Sequence, residues 1–171
     1  KLTPICLFFL LFYPYTKRFT FLCHYFLGVA LAMAPAGGYI AVTGELPFGI
    51  ILLSGGVCLW IGSFDVIYGS QDRQFDLDHK LHSMATQFGV ANAHKIAAFF
   101  HFISILCFIG AGIYFDLSFI YYIGVLIAIL TLIYQHSLIT PYDFSRLTQV
   151  YFMRNGIVSI VIFVFTLIDI L

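Results

Sequence analysis

The stretch PFGIILLSGGVCLWIGSFDVIYGSQDRQFD, residues 47–76, decides the fold. Its first part, residues 47–68, holds a single charged residue, Asp65. A helix of that length rises about 33 Å, enough to cross a hydrocarbon core of about 30 Å. Acidic residues follow at once, at Asp72, Asp76 and Asp78. The segment therefore reads as a membrane span whose polar end carries a cluster of carboxylates.

The rest of the chain has the same character. Of 171 residues, 61% are hydrophobic, 19% aromatic and 9% charged, with a net charge of zero. Mean hydropathy is +1.00. Soluble domains are about 25% charged. These values exclude a soluble enzyme, a disordered tail and a nucleic-acid binder with a basic face. They predict an all-α, polytopic transmembrane helix bundle embedded in the lipid bilayer. Breaks in the apolar pattern place spans at residues 2–12, 19–42, 47–68, 93–115, 117–139 and 151–171. Five of these are full length. The first would rise only about 16–17 Å, so the expectation is a first span that begins upstream of residue 1.

Charge is sorted along the chain. Lys17 and Arg18 lie in the first connection, Arg73, Lys80 and Lys95 in the third, and Arg146 and Arg154 in the fifth. The even connections carry Glu45 and Asp116 and no basic residue. Basic loops stay on the cytoplasmic side, so the odd connections are expected there and the C-terminus, with Asp169, opposite. The four cysteines lie far apart in apolar runs and read as free thiols. The glycines of the second and third spans, Gly37-Gly38, Gly55-Gly56 and Gly62, read as helix-packing contacts.

The acidic cluster needs a reason. At about 100° per residue, Asp65, Asp72 and Asp76 fall within about 20° of one line on a helix, with Tyr68 beside them. Asp72 and Asp76 are an i, i+4 pair of like charge, which destabilises a helix unless a positive group lies between. Asp65 is costly at membrane depth. One reading is a solvated helix end whose acids pair with Arg73, Lys80 and Lys95. The other is a hard-cation site. Magnesium takes one or two carboxylates and completes its shell with phosphate oxygens and water, which makes Asp72 and Asp76 metal ligands and leaves Asp65 to bind metal or orient Tyr68. Lys17 and Arg18, on the same face, would contact a diphosphate, whose charge grows as it leaves. Their bland role is membrane anchoring. His79 and His82 lack the spacing of a zinc site, and His24, His101 and His136 read as packing residues.

Two motifs carry a resemblance. The run FDVIYGSQDRQFD, followed by HSMATQFG, resembles the second aspartate-rich motif of the UbiA superfamily of intramembrane aromatic prenyltransferases. Tyr13-Pro14-Tyr15-Thr16-Lys17-Arg18-Phe19-Thr20 is similar to that family's Tyr-Pro-x-x-Lys-Arg-x-Thr loop. The resemblance implies a UbiA-like bundle in which residues 1–171 form one transmembrane domain lacking a first aspartate-rich motif, and inactive by itself. It implies magnesium-dependent transfer of a polyprenyl group from an allylic diphosphate to a small aromatic acid, 4-hydroxybenzoate or a dihydroxynaphthoate, in ubiquinone or menaquinone synthesis. Asp72 and Asp76 then correspond to metal–diphosphate ligands, Asp65 and Tyr68 to the motif's leading part, and Lys17 and Arg18 to diphosphate contacts. One departure stands out. Where many members have glycine before x-x-Ser, this chain has Lys80. Two other classes compete. A CDP-alcohol phosphotransferase needs an Asp-Gly-x-x-Ala-Arg run that is absent. An ion-coupled transporter needs polar residues in several facing spans.

Overall fold

The computed structural model describes residues 3–140, 144 and 147–171, without the side chains of 147–152 and 154. Among these residues the chain is helical, with no β-strand. The long helices are α2 (Cys23–Thr43), α3 (Phe48–Gly69), α6 (Val90–Tyr114), α7 (Phe119–Leu138) and α8 (Leu147–Ile170). Short α1 (Thr3–Phe12) precedes them, and short α4 (Arg73–Asp78) and α5 (Met84–Phe88) lie between α3 and α6.

Four helices are long and apolar enough to cross a membrane: α2, α3 with its extension to Asp78, α6 and α7. The chain is an integral membrane protein. The span expected over 151–171 lies in α8, whose described apolar part is the shorter Asn155–Ile170. Arg146 and the side chain of Arg154, both used to orient the chain, lie outside the described residues.

Helix α3 is central, packed between α2 and α6, while α7 pairs with α8. Lipid tails are as apolar as leucine, so close packing rather than water exclusion must hold such helices together. The packing glycines do this at selected positions. Gly28 lets α2 approach the Cys58 carbonyl of α3, and a Cβ at Gly56 would stand 2.6 Å from the Phe108 ring of α6. Gly124 sits against Phe165 of α8. Gly62 packs on Tyr25, whereas Gly37, Gly38 and Gly55 have open space in front of them. The packing expectation thus holds for Gly56 and Gly62 and fails for the other three.

Several polar groups inside the bundle are partnered across helices. Ser104 Oγ donates to the Gly56 carbonyl at 2.7 Å, and Tyr121 Oη to that of Phe108 at 2.8 Å. His101 and His136, expected as isolated packing residues, pair with each other at 2.8 Å, and His101 Nε2 donates to the Trp60 carbonyl at 3.1 Å. At one end of the bundle Asp169 accepts from the backbone N–H groups of Ser118 and Tyr121 and from the Ser118 hydroxyl. The start of α3 meets the end of α6 there too, through Gly49 against Tyr114 and Phe115. The connections that hold Glu45 and Asp116 share that end. The Lys17 connection and the acidic segment share the other.

Candidate functional site

The acidic segment is not one helix. α3 stops at Gly69, and Ser70–Asp72 form a 3-10 turn before α4 begins. A 3-10 turn advances about 120° per residue instead of about 100°, so the expected straight stripe breaks. Ser70 Oγ turns back to the Val66 carbonyl at 2.7 Å. Asp65 stays inside the span, Asp72 points outward and is exposed, and Asp76 points inward with 1% exposure.

The turn after α4 is held by its backbone. Lys80 adopts φ 54°, a left-handed conformation that costs a side chain about 1–2 kcal/mol and suits glycine. This gives a physical reason for the glycine expected at that place in the motif. Leu81 N–H then donates to the Asp76 carbonyl at 2.8 Å. Ser83 begins α5 with a capping box: its Oγ accepts from Thr86 N–H, and its own N–H donates to Thr86 Oγ1 at 2.8 Å. His79 stacks on Phe75 and bonds that residue's carbonyl at 2.9 Å.

The basic loop reaches this segment from 59 residues away. Tyr13–Arg18 form a 3-10 turn entered through Pro14, with Thr16 buried. Lys17 Nζ lies 3.1 Å from both oxygens of Asp76. The Lys17 carbonyl accepts from His82 N–H at 2.7 Å. Cys23, at the start of α2, donates its Sγ–H to the His82 carbonyl at 3.6 Å. Backbone and side chain thus bind the two motifs at the same point. Arg18 turns away and sits 5.7 Å from the centre of the Tyr15 ring.

These contacts show which partners the acids have. Arg73 does not pair with them, since its Nε donates to the Ala85 carbonyl at 3.0 Å. Among the described residues the ion pairs are Lys17–Asp76 and His24–Asp65, and neither Lys80 nor Lys95 joins one. The positive group that faces Asp76 is therefore Lys17. His24 was missed. Its ring is 2% exposed, and its Nδ1–H faces Asp65 Oδ2 at 2.7 Å. The cost of Asp65 at membrane depth was the signal that a buried partner was needed. Tyr68, one turn on, packs half-buried against the core beside Met84 and Ala85.

No group of three or more His, Cys, Asp or Glu side chains that could hold a metal is found among the described residues. The arrangement does fit magnesium, which needs only one or two carboxylates when phosphates complete its shell. Both oxygens of buried Asp76 already face one positive charge, and exposed Asp72 stands four residues away.

The model of the UbiA prenyltransferase family matches residues 1–157. The chain belongs to the UbiA prenyltransferase family. Among its relatives is a 4-hydroxybenzoate octaprenyltransferase of Nitrosospira multiformis, 30% identical over 169 residues, 99% of this chain and 58% of that protein. Another, of the same name from Shewanella sp. (strain MR-4), is 34% identical over 139 residues, 81% of this chain and 48% of that protein. The apo structure of a UbiA homolog from Aeropyrum pernix K1 superposes with a TM-score of 0.83 at 27% identity, covering 99% of this chain and 63% of the other. This UbiA family chain spans about half the length of the curated relatives it matches.

Proposed function

We propose that the full-length protein transfers a polyprenyl group from an allylic diphosphate to a small aromatic acid, 4-hydroxybenzoate or a related naphthoate, in quinone synthesis. The observation that carries this reading is the Lys17–Asp76 contact. It joins the basic loop and the acidic segment, the two motifs a metal–diphosphate substrate needs at one point. The names of the relatives supply the acceptor class.

In this reading Asp72 and Asp76 hold magnesium with the diphosphate. The metal's chemistry, when bound, is to neutralise charge that develops on the leaving group. Lys17 contributes positive charge on the diphosphate's other oxygens, and Arg18 joins it only by swinging off the Tyr15 ring. Asp65, oriented by His24, and Tyr68 border the reacting end. The apolar tail lies in a cavity of about 720 Å³ that runs from Trp60 and Ile61 past Leu53, between α2, α3 and α8. Its wall is mostly apolar, with Asn155, Ser159 and Thr166 on the α8 side, so an allylic cation formed nearby is shielded from bulk water and can be stabilised by aromatic faces. The basic connections support a cytoplasmic orientation of this site.

Asp72→Ala and Asp76→Ala in the full-length protein are each expected to lower prenyl transfer from an allylic diphosphate by at least about 100-fold, a loss comparable to removing one transition-state contact. The assay is radiolabelled product formation in membranes, with folding checked by size-exclusion chromatography. Normal turnover by either folded variant overturns the assignment.

A further inference from the structure

We propose that Lys17 is an exchangeable occupant of the Asp76 carboxylate, so that a divalent cation and a diphosphate bind this site as a linked pair. The proposal rests on Asp72 and Asp76 being the metal–diphosphate ligands.

Three observations carry it. First, Asp76 is occupied. Its side chain is 1% exposed, and both oxygens lie 3.1 Å from the same ammonium. A dication reaching Asp76 must displace Lys17. Second, Lys17 cannot retreat far. Its carbonyl is held by His82 N–H, and Thr16 before it is 1% exposed. Displacement is limited to rotation of the lysine stem, which leaves an ammonium beside a newly bound dication. Third, apart from exposed Asp72, which the cation itself takes in this reading, the segment's other acids are engaged. Asp78 accepts from Gln74 at 2.9 Å, and Asp65 is held by His24.

A diphosphate supplies the missing anion. It gives the displaced ammonium a new partner and gives the cation its remaining oxygen ligands. Each ligand therefore removes the penalty that the other faces, which is positive coupling between two binding events and must be reciprocal. Exposed Asp72 is the open contact that the cation meets first. The consequence is a site that stays closed by its own lysine against free divalent cations. Arg18, drawn to Tyr15, does not replace it.

The test measures binding rather than turnover. Full-length protein in nanodiscs is titrated with Mn²⁺, read by electron paramagnetic resonance, with and without inorganic pyrophosphate. Lys17→Gln removes the charge and keeps a donor for the buried carboxylate. It is expected to bind Mn²⁺ alone about tenfold more tightly than wild type, with the gain from pyrophosphate reduced by the same factor, within the usual range of coupling energies. Lys17→Arg keeps the fold by keeping the ion pair, and its bidentate fork holds a carboxylate more firmly. It is expected to bind Mn²⁺ alone several-fold more weakly than wild type. If Mn²⁺ affinity is unchanged in Lys17→Arg, or unchanged or weaker in folded Lys17→Gln, while Asp76→Asn abolishes binding, the exchange is refuted and the site assignment stands. If Asp76→Asn binds Mn²⁺ like wild type, both are refuted.

Discussion

Removing either partner of the Lys17–Asp76 pair should destabilise the fold by unequal amounts, and the inequality follows from burial. At 3.1 Å and an effective dielectric of about 20, opposite unit charges attract by about 5 kcal/mol. Desolvation of Asp76, and water reaching Lys17 at its 29% exposure, reduce the net coupling to about 2–3 kcal/mol. Lys17→Met leaves a carboxylate that is 1% exposed with no counter-charge, a change expected to cost about 3–5 kcal/mol. Asp76→Asn leaves an ammonium that can turn to water, and should cost about 1–2 kcal/mol. The double variant should lie well short of the sum, near the cost of the lysine variant or below it. Reversible unfolding in mixed micelles, by titration with denaturing detergent, gives all four corners of the cycle. Single effects that add to within about 0.5 kcal/mol, or a larger loss for Asp76→Asn than for Lys17→Met, would refute the argument.

Two further outcomes follow from backbone and packing geometry. Lys80→Gly is expected to raise stability by about 1 kcal/mol, because glycine adopts φ 54° without the steric penalty; the same detergent titration reads it, and a loss of stability would contradict the assignment of strain. Gly56→Ala should cost about 1–3 kcal/mol as its methyl meets the Phe108 ring, whereas the neighbouring Gly55→Ala, facing open space, should be neutral or slightly stabilising; equal effects at the two positions would show that α3 and α6 are not packed as described.

Much of this was readable before any coordinates. The spans were legible because lipid imposes one solution on an apolar chain, a helix that satisfies its own backbone. That Lys17 and the acidic segment share one end of the bundle followed from charge sorting between odd and even connections, but their contact did not. What could not be read was the course of the chain from Gly69 to Lys80. A 3-10 turn over Ser70–Asp72 leaves no compositional trace, yet it turns Asp72 outward and Asp76 inward. Spacing along an ideal helix placed the two carboxylates side by side. It could not say that one would be exposed and the other sealed. His24 escaped for a different reason. A lone histidine in an apolar span looks like packing until its neighbour across the helix interface is known, and that neighbour is 41 positions along the chain. His101 and His136 show the same blindness, since each is the other's partner.

The clasp between Lys17 and Asp76 also has a history during synthesis. The two residues are 59 positions apart, which at about 5–20 residues per second separates their emergence from the ribosome by about 3–12 s. Throughout that interval Lys17 lacks this counter-ion, and with Arg18 it is available as a topogenic signal of the kind that keeps basic loops in the cytoplasm. Once α2 and α3 have been threaded and Asp76 arrives, the same charge is neutralised and taken into the folded interior. A substitution of Lys17 is therefore expected to disturb insertion as well as the contact with Asp76.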